Sequence, residues 1–197
     1  HIRHVSKVAP NKLAVSTRDN KTYLFDTQTQ QRTQVLQTSA CVYCYGIDSR
    51  GRAWIGTKGD GILIDGIKYS KREKEHYAPT INFYDVAFDK FGRAWLATWG
   101  DGLLCTRAND ANTENLKFGS FMATNGKEAQ IHDLFLDKKG RLWASTNNGI
   151  DMIDTRERHI TDKKILRFNE ENGNPFGTQE EARKMMESWF PTLKRWK

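Results

Sequence analysis

The chain has 197 residues, of which 38% are apolar and 28% charged, and a formal net charge of +7. This is a globular composition, and no apolar run approaches the roughly 18 residues a helix needs to cross a bilayer. The excess of positive charge would suit an anionic partner. Its lysines and arginines are nevertheless interspersed with acids, so it reads as solvated surface, and no nucleic-acid partner is expected.

The opening residues, HIRHVSKVAP, lack the charged region, apolar stretch and cleavage site of a signal peptide. From there the chain reads as short β-like runs separated by turn residues. The first unit, 1–38, offers HIRHVSKVA, KLAVST, KTYLFDT and RTQVLQT. The second, 39–79, offers CVYCYGID, RAWIGT, GILIDG and the charged KREKEHYAP, read as a solvated edge strand protected by its lysines. Cys41 and Cys44 fall inside the first of these runs. Residues three apart on a strand face opposite ways, so neither a disulfide nor a metal pair is expected of them. Cys105 leaves the cysteine count odd, no second Cys or His pair stands at zinc spacing, and neither cofactor nor metal is expected.

The third unit, 80–125, gives INFYDVAFD, RAWLATW, GLLCT and LKFGSFM, and the fourth, 126–170, gives AQIHDLFLD, RLWAST, GIDMID and KKILRFN. Four short strands recurring every 40 or so residues define a blade, which predicts an all-β protein of about four antiparallel β-propeller blades. Residues 171–197 leave the pattern. NGNPFG reads as a loop, and TQEEARKMMESWF as a short C-terminal helix with Thr178 as N-cap and Glu181 at N3. Its apolar stripe is Ala182, Met185, Met186 and Trp189, Pro191 stops it, and LKRWK forms a basic tail.

One phrase recurs: DSRGRAWIGT at 48–57, DKFGRAWLAT at 89–98 and DKKGRLWAST at 137–146, with a faint copy in NKLAVST at 11–17. Asp48, Asp89 and Asp137 suit Asx turns, and Gly51, Gly92 and Gly140 close those turns where a positive φ is required. Trp54, Trp95 and Trp143 fall at one strand position, a size suited to the gap between blades. The phrase lacks the oxygen spacing of a calcium loop and the glycine spacing of a dinucleotide site, so it reads as structure.

The phrase, followed by x-x-G-(I/L)-x-x-x-D, resembles the two-component regulator propeller repeat of the periplasmic sensor regions of Bacteroides-type hybrid histidine kinases. The resemblance implies a non-catalytic, extracytoplasmic part of an inner-membrane protein that senses a glycan-derived oligosaccharide. It also implies seven-bladed rings. Four blades would then need further blades, or a second chain as in a homodimer, to close the ring.

A propeller ligand would sit at a mouth of the central channel. The first run of each unit is expected to be innermost, which places Tyr43, Tyr84 and His132 at one level, with Cys44, Asp85 and Asp133 beside them. Trp99 stands where the other copies carry Lys58 and Asn147, and with Asp101 it forms a candidate sugar platform or interface anchor. The ligand-binding candidates are therefore Tyr43, Tyr84, Asp85, Trp99, Asp101, His132 and Asp133. Two alternatives stand beside the sensor. One is a propeller-based lyase or glycosidase using Asp85 and Asp133, and the other is a protein-interaction scaffold using blade edges and the C-terminal helix.

Overall fold

The computed structural model describes residues 1–107, 116–121, 129–147, 149–158 and 165–168. The expected C-terminal helix and basic tail lie outside these residues. Among the described residues the chain is all-β, and its strands form four consecutive antiparallel blades. The first contains β1 (Ile2–Ala9), β2 (Lys12–Thr17), β3 (Lys21–Asp26) and β4 (Arg32–Gln37). The second contains β5 (Cys41–Ile47), β6 (Ala53–Lys58), β7 (Ile62–Ile64) and β8 (Ile67–Tyr69). The third contains β9 (Phe83–Phe88), β10 (Ala94–Gly100), β11 (Leu103–Thr106) and β12 (Phe118–Ser120). The fourth contains β13 (Ala129–Leu136), β14 (Arg141–Thr146), β15 (Gly149–Asp154) and β16 (Ile165–Phe168). Strands β1, β5, β9 and β13 stand side by side along the inner edge.

The second blade corrects the reading of its outer strand. KREKEHYAP, residues 71–79, is not a strand but a loop, tied down by a Ser70–Tyr77 bridge. The cause lies just upstream. Asp65 and Gly66 both adopt positive φ, 51° and 87°, the pair of left-handed conformations that turns a two-residue hairpin. The chain therefore folds back at once, and Ile67–Tyr69 pairs with β7 before the charged residues are reached.

The repeated phrase works as a clasp. The Asp48 carboxylate accepts from the Arg50 and Arg52 amides at 2.9 and 3.0 Å, from Arg52 Nε at 2.6 Å and from Trp54 Nε1 at 3.0 Å. Asp89 and Asp137 take the same four donors from their own copies, with indole bonds of 2.8 Å from Trp95 and 3.2 Å from Trp143. Burial alone would raise the Asp48 and Asp137 carboxyls. The arginine, indole and amide donors outweigh it and hold both below the ordinary carboxylate range. The closing threonines also have work: Thr57 and Thr98 donate to the Gly61 and Gly102 carbonyls at 2.7 and 2.6 Å, pinning the following turns.

The clasped tryptophans are set into the seams between blades. Trp54 packs with Ile62, Ile64 and Tyr69 of its own blade and with Phe83, Leu96 and Leu104 of the next. Trp95 joins Leu103 to Ile131, Leu142 and Ile153 of the fourth blade. Ala14, the tryptophan position of the faint first copy, packs with Val42, Tyr45 and Ile55. Trp143, with no further blade against it among the described residues, is only half-buried and stacks on Phe168 at 6.0 Å. Arg93 adds a polar strap across a seam, donating to the carbonyls of Thr155 and Arg158 at 2.9 and 2.8 Å.

Candidate functional site

Each inner strand breaks its ladder at the same place. Ile2 faces Thr17 but His4 faces Ser16, and Val42 faces Thr57 but Cys44 faces Gly56. Phe83 faces Thr98 but Asp85 faces Ala97, and Ile131 faces Thr146 but Asp133 faces Ser145. One residue is therefore extra in every inner strand: Arg3, Tyr43, Tyr84 and His132. Such a bulge bends the strand and re-aims the inserted side chain, here at the same end of four adjacent blades.

The bulge residues and Trp99 form one continuous row. The Arg3 guanidinium lies 4.3 Å from the Tyr43 ring centroid, and Tyr43 and Tyr84 are 4.5 Å apart. Tyr84 stacks on Trp99 at 5.2 Å and 27°, and Trp99 meets His132 edge-on at 5.4 Å. Lys58 stands 5.9 Å from the Trp99 ring. Trp99 reaches the row because β10 runs on past its hairpin and pairs with β13, Trp99 opposite Gln130, which welds the third and fourth blades into one sheet. Trp99 is 37% exposed and His132 exposed, whereas Tyr43 and Tyr84 are half-buried. Within the row only Tyr84 and Trp99 meet face to face, and the other ring contacts are tilted or edge-on.

One residue further along each strand lies a second, more polar level: His4, Cys44, Asp85 and Asp133. Asp85 accepts from its neighbour Val86 N at 2.8 Å and, across the seam, from Leu134 N at 2.7 Å. It also shares a hydrogen bond with Asp133. Burial first, and that bond second, push the Asp85 carboxyl up to about 8 against the pull of the two amides. Burial lowers His4, partly offset by the Asp133 charge, and its Nε2 lies 2.6 Å from Ser6 Oγ. Cys44 is fully buried, and all three cysteines are free thiols.

Tyr43, Tyr84, Trp99 and His132 are thus brought together, with Asp85 and Asp133 directly alongside. Asp101 is exposed on the turn after β10, and among the described residues no hydrogen bond or ion pair joins it to the row. Asn147 is also exposed, with its amide bonded to the Gln130 carbonyl at 3.1 Å, and it makes no ring contact among the described residues. Sequence reasoning missed Arg3 and His4. Their signal was present, since Ile2-Arg3-His4-Val5 aligns with Val42-Tyr43-Cys44-Tyr45 and Phe83-Tyr84-Asp85-Val86, but the first unit lacks the clasp that makes alignment easy. No group of three or more potential metal ligands occurs among the described residues.

Residues 125–148 match the family model of the two component regulator propeller. The fold is similar to the extracellular domain of a protein assigned to a hybrid two component system of B. thetaiotaomicron. Identity is 24% and the TM-score 0.62, over 87% of this chain and 23% of that one. It is also similar to the extracellular domain of a protein of the same organism assigned to a one component system, at 18% identity and TM-score 0.60, over 86% and 24% of the two chains. The β-propeller domain of Swd1 from Myceliophteria thermophila matches at 15% identity and TM-score 0.57, over 81% of this chain and 54% of that one. The chain therefore spans under a quarter of both B. thetaiotaomicron chains, 23% and 24%. No curated protein sequence matches it.

Proposed function

We propose that this chain, a β-propeller segment carrying the two component regulator propeller repeat, is a non-catalytic part of an extracytoplasmic sensor. In this reading its ligand is a glycan-derived oligosaccharide held at the mouth of the channel. One observation carries it: the four inner-strand bulges line up Arg3, Tyr43, Tyr84 and His132, with Trp99, in a single row. The repeated residues are spent on turns, clasps and seams, and the row is built from the positions where the repeats differ. Aromatic edges and an open indole surface beside hydrogen-bonding groups suit a ligand that is apolar on its ring faces and polar at its rim. The extracellular setting of the similar B. thetaiotaomicron domains supports a site outside the cytoplasm, in the periplasm for an inner-membrane protein.

The test is a thermal-shift panel of neutral and acidic oligosaccharides on this chain and its Trp99→Ala variant. A sugar-specific rise in Tm, lost in Trp99→Ala, is expected. No rise with any sugar, or one that survives Trp99→Ala and Tyr84→Ala, sinks this reading.

The enzymatic alternative has one observation in its favour, the Asp85 carboxyl held largely protonated near neutral pH. Geometry weighs against it. The two carboxyls are hydrogen-bonded to each other, whereas a retaining glycosidase holds its pair about 5–5.5 Å apart with the sugar between them. Asp85 is also committed to two backbone amides. Turnover of any glycan, abolished in Asp133→Asn, would reverse the ranking.

A further inference from the structure

Some cations of the described chain are held in ion pairs. Arg52, Arg93 and Arg141 are clasped by their aspartates, Arg156 by Asp154, Arg167 by Asp151, and Lys68 lies between Asp60 and Glu73. Arg3, at one end of the aromatic row, and Lys58, beside Trp99 within it, make no ion pair among the described residues. Each is held instead against a ring, Arg3 on Tyr43 at 4.3 Å and Lys58 on Trp99 at 5.9 Å. A cation–π contact positions a charge without cancelling it. Along the row, the Tyr43 and Tyr84 hydroxyls, the Trp99 indole N–H and the His132 ring nitrogens have no hydrogen-bond partner among the described residues. The hydroxyls, the indole N–H and one imidazole nitrogen can donate. The neighbouring carboxyls are already engaged, Asp85 with Asp133 and both with the Leu134 amide at 2.7 and 3.1 Å.

The row presents two cations without an ion pair and several unpartnered donors, with one exposed carboxylate, Asp133, alongside. We infer that it takes an anionic oligosaccharide, whose carboxylate or sulfate groups are met by Arg3 and Lys58 while its hydroxyl and ring oxygens accept from the Tyr43, Tyr84, Trp99 and His132 edges. This rests on the oligosaccharide reading above and adds the ligand's charge. Two anionic groups on one chain engage both cations at once, so a longer acidic oligomer gains over a single acidic sugar by effective concentration. Charge-assisted bonds to the anions are about twice as strong as neutral ones.

The experiment is calorimetric titration of the 197-residue chain with three hexasaccharides: a galacturonate oligomer, a sulfated oligomer and a neutral galactose oligomer. Arg3→Gln and Lys58→Met keep the packing stems, Arg3→Lys and Lys58→Arg keep the charge, and Lys138→Met, at the opposite end of its blade, controls for net charge. Binding of an acidic oligomer is expected, weakened about tenfold or more by Arg3→Gln and by Lys58→Met. The charge-keeping variants and Lys138→Met should bind nearly as the parent does. The tighter of the two acidic oligomers identifies the anion as carboxylate or sulfate. If the neutral oligomer binds equally well and only Tyr84→Ala or Trp99→Ala weakens it, the oligosaccharide reading stands and the anionic inference falls. If Lys138→Met costs as much as Lys58→Met, binding is general charge attraction and the inference also falls. If none of the three binds, the reading beneath it falls as well.

Discussion

Three copies of one clasp, set at different depths, make a graded test of what holds the blades together. In the deepest copy the Asp89 carboxylate receives Phe91 N, Arg93 N, Arg93 Nε and Trp95 Nε1 at 2.9, 3.1, 2.5 and 2.8 Å. The side chains of Arg93 and Asp89 are 5% and 0% exposed, against 11% and 6% for Arg52 and Asp48 and 19% and 10% for Arg141 and Asp137. Asp89→Ala strands a buried guanidinium that keeps only two carbonyl partners, and it orphans a buried indole N–H. Removing one member of a buried pair costs about 3–5 kcal/mol, and that is the expected loss. Asp137→Ala leaves Arg141 and Trp143 within reach of water, so the loss there should be about 1–2 kcal/mol, from hydrogen bonds alone. Asp48→Ala should fall between them. Urea unfolding followed by far-UV circular dichroism, with linear extrapolation, measures all three. Equal losses, or Asp137→Ala as the costliest, would show that seam burial does not set the clasp's worth.

Gly66→Ala forces an L-residue to φ 87° in the hairpin that corrects the second blade, and should cost about 1–2 kcal/mol in the same assay. Gly56→Ala places a Cβ 2.5 Å from Cys44 Sγ and 2.8 Å from Phe83 Cβ, overpacking worth about 1–3 kcal/mol. With Asp85 raised to about 8, the folded chain holds a proton that the unfolded chain has released, so stability should fall as pH rises toward 8. The lowered His4 has the opposite sign below its ordinary value of 6.5, which makes 6.5 to 8 the window to measure. Asp133→Asn should lessen the slope there, since burial, the larger cause, remains, and an unchanged slope would remove Asp133 as a contributor.

The fold was legible because the clasp is local. Asp, Gly, Arg and Trp at fixed offsets fall in one turn and one strand, so aligning three copies aligns three blades. What the alignment could not reveal is that all four groups converge on one carboxylate, since an Asx turn accounts for the Asp without the Arg and Trp. The second blade's outer strand was misplaced for an opposite reason. Its signal was a two-residue Asp65-Gly66 turn, while the long charged run after Tyr69 imitated an edge strand. At the site, the level holding Tyr43, Tyr84 and His132 came from register, which survives translation into three dimensions. The bulges did not, because one extra residue in a strand leaves no mark in hydrophobic alternation over so few positions. Nor did the partnership of Trp99 with Tyr84, which depends on β10 continuing into the next blade's ladder.

The bulge also separates the residues that hold the fold from those that vary between blades. Residues on either side of it are spent: Ile2, Val42, Phe83 and Ile131 face the closing threonines, and Asp85 is bonded across a seam. The inserted residue owes nothing to the ladder, so arginine, tyrosine and histidine occupy equivalent places without disturbing it. It is nevertheless one peptide away from the seam. Tyr84 precedes Asp85, whose Oδ2 holds the Leu134 amide of the next blade, and His132 precedes Asp133 on the far side of that bond. In the sensor reading, the row therefore lies one peptide from the hydrogen bond that joins the third and fourth blades.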